Sequence, residues 1–196
     1  MRLILARHGQ SLGNVDPVTY AGQDSPLTPV GEAQADRMGR WLAVYEPTID
    51  LIVCSPLQRA RQTAEIANAH LRLPLVFDDR LREIEKFDLP LLRRRLHPFS
   101  PETDHVDPES DGYYDRYSLQ VRGALDALTA DLNRPKPVLV VSHGGTSATI
   151  LRLVMERHDI YFLSHNTALH LLEWREGRWH ISGLNLTPHL PPELIT

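Results

Sequence analysis

Two histidines stand in matching positions at the ends of short apolar runs. Arg7-His8-Gly9 follows the run Leu3 to Ala6, and Ser142-His143-Gly144-Gly145 follows the run Val138 to Val141. A short, wholly apolar run reads as a buried strand of a parallel sheet, and such sheets hold their ligands just beyond the carboxyl ends of the strands. The glycine behind each histidine is expected to let backbone N–H groups come close to a ligand. Two imidazoles and a guanidinium are therefore expected at one crevice of an α/β enzyme.

Strands and helices alternate along the chain, which predicts an α/β fold with a doubly wound, mostly parallel sheet and helices on both faces. Thr28 is a good N-cap, Pro29 suits the first helical position, and Met38, Trp41, Leu42 and Tyr45 recur at helical spacing, so Leu27 to Tyr45 reads as a helix. Leu51 to Val53 and Leu75 to Phe77 read as strands. The helix between them starts near Pro56 and buries Leu57, Ala60, Ala64, Ala67 and Leu71. From Lys86 to about Asp111 the alternation breaks, with Pro90, Pro98, Pro101 and Pro108 and the run Arg93-Arg94-Arg95. A cap inserted at about 86–116 in a single 196-residue domain is expected there. Ser110 or Asp111 would then cap a long helix carrying Tyr117, Val121, Leu125, Leu128 and Leu132. A further helix after His143 buries Ala148, Leu151, Val154 and Met155. Leu169 to Trp174 and Trp179 to Leu184 read as a hairpin around Glu176-Gly177, and the Pro-rich stretch Thr187 to Thr196 as a tail.

Composition narrows the function. Twenty-one Lys plus Arg against twenty-five Asp plus Glu give a formal net charge of −4, so no global basic field exists for nucleic acid and any anion site must be local. The lone Cys54 has no internal disulfide partner. Four apolar residues before Arg7 are too few for a signal-peptide core, and no run is long enough to span a bilayer, so a cytoplasmic protein without a membrane partner is expected. Exposed edge strands or the tail would support a homodimer.

Each strand end delivers a charge or a proton carrier: Arg7 and His8, then Ser55 and Arg59, then Glu83, then His143. Such a set suits phosphoryl transfer, with guanidiniums forking onto phosphate oxygens, one imidazole attacking, and a carboxylic acid protonating the leaving oxygen. Rival chemistries do not fit the letters. Cys54 is followed five positions later by Arg59, whereas cysteine phosphatases place arginine six positions after the thiol. No G-x-S-x-G elbow, P-loop or H-E-x-x-H helix occurs.

Five ordered segments resemble the histidine phosphatase superfamily, which includes the cofactor-dependent phosphoglycerate mutases: Leu5-Ala6-Arg7-His8-Gly9-Gln10-Ser11 with Asn14, Asp24 to Gly31, Ser55 to Ala64, Leu81-Arg82-Glu83, and Ser142-His143-Gly144-Gly145. His165-Asn166-Thr167-Ala168 is a weaker match. The resemblance implies a phosphohistidine on His8, with Nδ1–H fixed by a backbone carbonyl and Nε2 free to attack. It implies Glu83 as general acid, with Glu85 as rival, and Arg7, Arg59, His143, Asn14, Gly144 and Ser55 around the phosphate of a small phosphorylated metabolite. No metal or cofactor is required. The implied reaction is phosphomonoester hydrolysis. The alternatives are mutase-type phosphoryl transfer to a second hydroxyl and a non-catalytic phosphate-ligand binder. The family's Gly-x-Trp-Glu-Gly segment after the acid is replaced by Glu85-Lys86-Phe87-Asp88, and Pro108-Glu109-Ser110 stands where Gly-Glu-Ser is usual. Phe87, Arg93, Phe99, Tyr113 and Tyr114 are the cap residues expected to line a substrate pocket.

Overall fold

The run Leu3 to Ala6 is apolar throughout because both faces of its strand are covered. In the computed structural model, which describes residues 1–46, 48–83, 108–158 and 160–196, strand β1 (Arg2–Arg7) lies inside a six-stranded sheet. Its elements in chain order are β1, helix α1 (Leu12–Val15), helix α2 (Pro29–Tyr45), β2 (Leu51–Cys54), helix α3 (Gln58–Leu71) and β3 (Leu75–Phe77), then helix α4 (Pro108–Leu128), β4 (Val138–Ser142), helix α5 (Gly144–Met155), β5 (Leu169–Arg175) and β6 (Arg178–Leu186). The sheet order is β3-β2-β4-β1-β5-β6; the first four strands are parallel, and β5 and β6 add an antiparallel edge.

Alternation along the strands divides the core in two. Leu3, Leu5, Val138 and Val140 point to one side, where they pack with Tyr117, Val121 and Ala124 of α4 and Ile150 and Leu151 of α5. Ile4, Ala6, Ile52, Cys54, Leu139 and Val141 point to the other, against Met38 and Leu42 of α2 and Ala60, Ala64 and Ala67 of α3. The α/β, mostly parallel architecture expected from the sequence is the one observed. Register then positions the site: Leu3 pairs with Val138 and Arg7 with Ser142, so the residues that follow, His8 and His143, leave adjacent strand ends together.

Boundaries moved in several places. Helix α2 starts at Pro29, where Thr28 Oγ1 accepts from the N–H of Gly31. Helix α4 begins at Pro108 rather than at Ser110 or Asp111 and ends at Leu128, so Leu132 lies beyond it and is exposed. Met155, expected on the buried stripe of α5, is exposed at the helix end. The tail is a strap: His189 and Leu190 are buried, Gln34 Nε2 donates to the Leu194 carbonyl (2.7 Å) and Thr196 Oγ1 (2.9 Å), and the N–H of Asn166 donates to the Thr196 carbonyl (2.9 Å). Its anchors are polar groups far away in sequence, so no local pattern announces them. The expected cap falls on residues 86–107, outside the described residues, and on the start of α4. Phe87, Arg93, Phe99 and Glu85 lie outside as well, as does the side chain of Tyr113, whereas Tyr114 is packed in the α4 core. Among the described residues no helix is long and apolar enough to cross a membrane.

Helices α2 and α3 approach closely at Gly39, where an added Cβ would sit 2.6 Å from both the Cα and the carbonyl oxygen of Ala67. Alanine would gain about 1 kcal/mol of helix propensity but would meet backbone that cannot swing aside, an overpacking cost of about 1–3 kcal/mol. Gly39→Ala is expected to lower the urea midpoint of unfolding. An unchanged or raised midpoint would show that the two helices can separate at little cost.

Candidate active site

The state of His8 follows from its two ring contacts. Nδ1 lies 2.6 Å from the Gly9 carbonyl, which can only accept, so Nδ1 carries the proton. Arg59 Nε, which can only donate, lies 3.1 Å from Nε2, so Nε2 presents a lone pair. The backbone is equally fixed. The His8 N–H donates to the Ser142 carbonyl (2.9 Å), and the His8 carbonyl accepts from Asn166 Nδ2 (3.0 Å) and from the N–H of Thr167 (3.2 Å). Thr167 holds φ at 56°, a left-handed conformation costly for a β-branched residue, and the surrounding bonds keep it there.

Two guanidiniums flank this ring. Arg59 comes from the first turn of α3, and its Nη1 lies 3.6 Å from Asp24 Oδ1. Arg7, the last residue of β1, donates through Nη1 to the Ser164 carbonyl. Burial pulls both below the ordinary arginine pKa while the Glu83 carboxylate pushes them back up, and both stay charged. The Nε of Arg7 is buried and meets no hydrogen-bond partner among the described residues.

Glu83 follows a single 3-10 turn, Asp79–Leu81, capped by Asp78. Its Oε2 accepts from the N–H of Gly145 (3.0 Å), and its Oε1 accepts from the Tyr117 hydroxyl (3.1 Å), which also lies 2.9 Å from Thr146 Oγ1. A Cβ on Gly145 would fall 2.5 Å from Glu83 Oε1, so only glycine lets the carboxylate dock on the first turn of α5. Gly9 thus differs from the expectation that the glycine behind each histidine frees an N–H for a ligand, whereas Gly144 lines the cleft. The Gly9 N–H is spent on Thr63 Oγ1 (2.9 Å), and that of Gly145 on Glu83.

His143 is the N-cap residue of α5 and is fully buried. Its Nε2 lies 2.8 Å from Ser55 Oγ, and its ring centroid lies 5.2 Å from that of His8. Burial first, then the charges of Arg59, Arg7 and Arg82, hold its pKa well below the usual histidine value, so it is neutral. Its Nδ1 is buried without a partner among the described residues.

A cleft of about 560 Å³ opens above these groups, lined by Arg7, His8, Asn14, Arg59, Glu83 and Gly144 among others. Those six line one space, as the sequence reading expected; His143 and Ser55 lie buried behind His8. Asn14 has its side-chain oxygen taken up by the Ser11 N–H (3.0 Å) and Asn166 Nδ2 (3.3 Å). Tyr117, Thr146, Arg152 and Ser164 were not anticipated. A tyrosine on an apolar helix stripe needs a partner for its hydroxyl, and that was the available signal for Tyr117. Among the described residues no group of three His, Cys, Asp or Glu side chains converges as a metal site would.

An unprotonated imidazole nitrogen against one arginine, with a second arginine and a carboxylate in the same cleft, defines a site for phosphoryl transfer by way of a histidine. Residues 3–187 match the sequence profile of the histidine phosphatase superfamily (branch 1), and the chain belongs to that family. It is 30% identical over 194 residues to "Uncharacterized phosphatase PhoE" of Bacillus subtilis, covering 95% of both chains. It is 28% identical to "Probable phosphoglycerate mutase GpmB" of Yersinia enterocolitica, over 93% of this chain and 89% of that one. Its fold matches that of phosphoserine phosphatase from Entamoeba histolytica, solved in complex with 3-phosphoglyceric acid, with a TM-score of 0.77, 24% identity, and coverage of 97% and 99% of the two chains.

Two more buried imidazoles support the site. His170 receives the Asn185 N–H at Nδ1 (3.2 Å) and meets Ser164 Oγ with Nε2 (3.2 Å); His189 Nε2 meets Thr167 Oγ1 (3.0 Å). Burial lowers both to about 4. Below about pH 6.5 the unfolded chain takes up protons that the folded chain refuses, so stability is full above that pH and falls as pH drops toward 4. From pH 7 to pH 5 each is expected to remove about 2 kcal/mol. Urea unfolding at the two pH values measures this, and an unchanged midpoint would contradict the neutral, buried assignment.

Proposed function

We propose that this protein hydrolyses phosphomonoesters of small metabolites through a phosphohistidine on His8. The observation that carries the reading is the lone pair of His8 Nε2, fixed by the Gly9 carbonyl on one side of the ring and by Arg59 on the other, in the cleft that also holds Glu83. In the first step Nε2 attacks phosphorus, the bond to the leaving oxygen breaks, and Glu83 in its acid form gives that oxygen a proton. In the second, Glu83 as carboxylate takes a proton from water as the water oxygen attacks phosphorus. The N–P bond breaks, and inorganic phosphate leaves with His8 restored. Arg7 and Arg59 hold the equatorial oxygens, with Asn14 and Gly144 at the rim, and neutral His143, backed by Ser55, completes the phosphate shell.

Transfer of the phosphoryl group to a second hydroxyl instead of water would give the mutase reaction named for the Yersinia relative. The PhoE likeness over nearly the whole chain supports water as acceptor. We take the chain as one domain with a cap insertion at about 86–116, cytoplasmic, without a nucleic-acid partner, and with edge strand β6 available for a homodimer.

Incubation with labelled phosphoester, followed by denaturation at neutral to alkaline pH, is expected to trap an acid-labile adduct on the wild-type protein and none on His8→Ala. Phosphate release without any adduct would remove the covalent mechanism. Replacing the acid separates substrates by leaving group. For Glu83→Gln, kcat/KM for alkyl phosphates is expected to drop about 100-fold or more, and that for p-nitrophenyl phosphate by about tenfold or less, because nitrophenolate leaves with little need of a proton. Equal losses would move the acid role away from Glu83.

A further inference from the structure

One face of α5 runs along the cleft. Gly145, Ala148, Thr149 and Arg152 occur at the i, i+3, i+4, i+7 spacing of a single helix stripe, and all four line the cavity that holds His8. The stripe begins at Glu83, which docks on Gly145, and ends at a guanidinium. Arg152 Cα lies about 10 Å along the helix from Gly145, so its side chain enters the same cleft two turns beyond the point where Glu83 docks.

The surroundings of this arginine set it apart. Arg2, Arg80, Arg82 and Arg134, all more exposed, each meet a carboxylate within 3.0 Å. Arg152 is only 4% exposed, yet forms no ion pair with a carboxylate of the described residues. Its Nε donates to the Ile160 carbonyl (2.8 Å), and a second hydrogen bond goes to Tyr114. Burial works against its charge, and the groups that favour it are tyrosines, Tyr114 first, with no acid among them. A buried cation whose partners among the described residues are all neutral is costly, and an anion that reaches it through the cleft relieves that cost while forming a charge-assisted fork.

We infer that Arg152 is a specificity-determining residue that binds a carboxylate on the organic part of the substrate, so that the enzyme prefers phosphomonoesters of short carboxylic acids to those of neutral alcohols. This inference rests on the phosphomonoesterase reading of the same cleft. Arg7 and Arg59 serve the phosphate, and Arg152 serves the second anion one to two helical turns away. Tyr114 and the Ile160 carbonyl hold the guanidinium plane in place.

The test uses pairs of ligands that differ in the carboxylate: phosphoglycolate against ethyl phosphate, and 3-phosphoglycerate against glycerol 3-phosphate. Titration calorimetry on His8→Ala protein is expected to show at least one acid bound about tenfold or more tighter than its neutral partner. Arg152→Met should abolish that preference, weakening the acid about tenfold or more beyond any loss for the neutral ligand, and Arg152→Lys should restore part of it. In the protein that retains His8, Arg152→Met should raise KM for the acid substrate selectively. Equal binding of acid and neutral ligands by the Arg152-containing protein would overturn the inference whatever the variants do. So would equal losses of kcat/KM for both substrates in Arg152→Met, which would leave the arginine as a clamp on Ile160 alone. Absence of turnover with every substrate would count against the phosphomonoesterase reading, while the calorimetric comparison would still decide the role of Arg152.

Discussion

The parallel pairing of β1 with β4 sets everything above it. In that register Arg7 stands beside Ser142, and the next residue of each strand leaves the sheet as a histidine. A slip of one residue would turn Leu3, Leu5, Val138 and Val140 toward the α2–α3 side, and would part His8 from the Ser142 carbonyl that takes its N–H. The two apolar cores, each specific to one face, hold the register because every strand position has its own partner helix. Catalytic geometry is therefore secured by packing well below the site, and the backbone around His8 spends its hydrogen bonds on the same frame.

Charge at the site is organised by burial as much as by partners. His143 is buried and Arg7 and Arg59 are half-buried, and burial disfavours the charged form of each. Guanidinium is too strong a base to yield, so the imidazole does: His143 stays neutral, and the positive charge of the pocket is carried by the two arginines. Glu83 is the one carboxylate whose charge raises both of them. A phosphate dianion entering this space would meet two fixed cations and would not have to wait for a histidine to be protonated.

The sequence revealed what is periodic or punctuated. Strand ends at His8 and His143, the Thr28-Pro29 helix start, and the five ordered segments all leave local marks, and Arg7, His8, Asn14, Arg59, Glu83 and Gly144 from those segments line the cleft. What stayed hidden depends on partners distant in the chain. The strap from Thr187 onward is tied down through Gln34 and Asn166, neither of which stands out in a pattern. The role of Gly9 was misjudged for the same reason. Gly9 looks like a ligand cradle from its neighbours, but its N–H goes to Thr63 Oγ1 and an added Cβ would meet the Gly31 carbonyl oxygen at 2.5 Å. Antiparallel β5, which closes the sheet beside β1, reads locally like any hairpin strand, and nothing in its letters names its neighbour.

Helix α5 links these elements into a closed circuit. Its N-cap residue is His143, its first turn receives Glu83, and Thr146 meets the Tyr117 hydroxyl that holds the same carboxylate. Two turns on, Arg152 holds the Ile160 carbonyl, at the head of the segment that leads to Ser164, and the Ser164 carbonyl takes Arg7. Arg7 in turn stands one residue before His8. The acid, the nucleophile and an arginine are thus referred to one rigid rod instead of to three independent loops. Positional errors of a few tenths of an ångström at either end of the rod would reach the carboxylate and the guanidinium together. Such common anchorage suits a reaction whose barrier depends on holding nucleophile, phosphorus and leaving oxygen nearly in line, where small misplacements are costly.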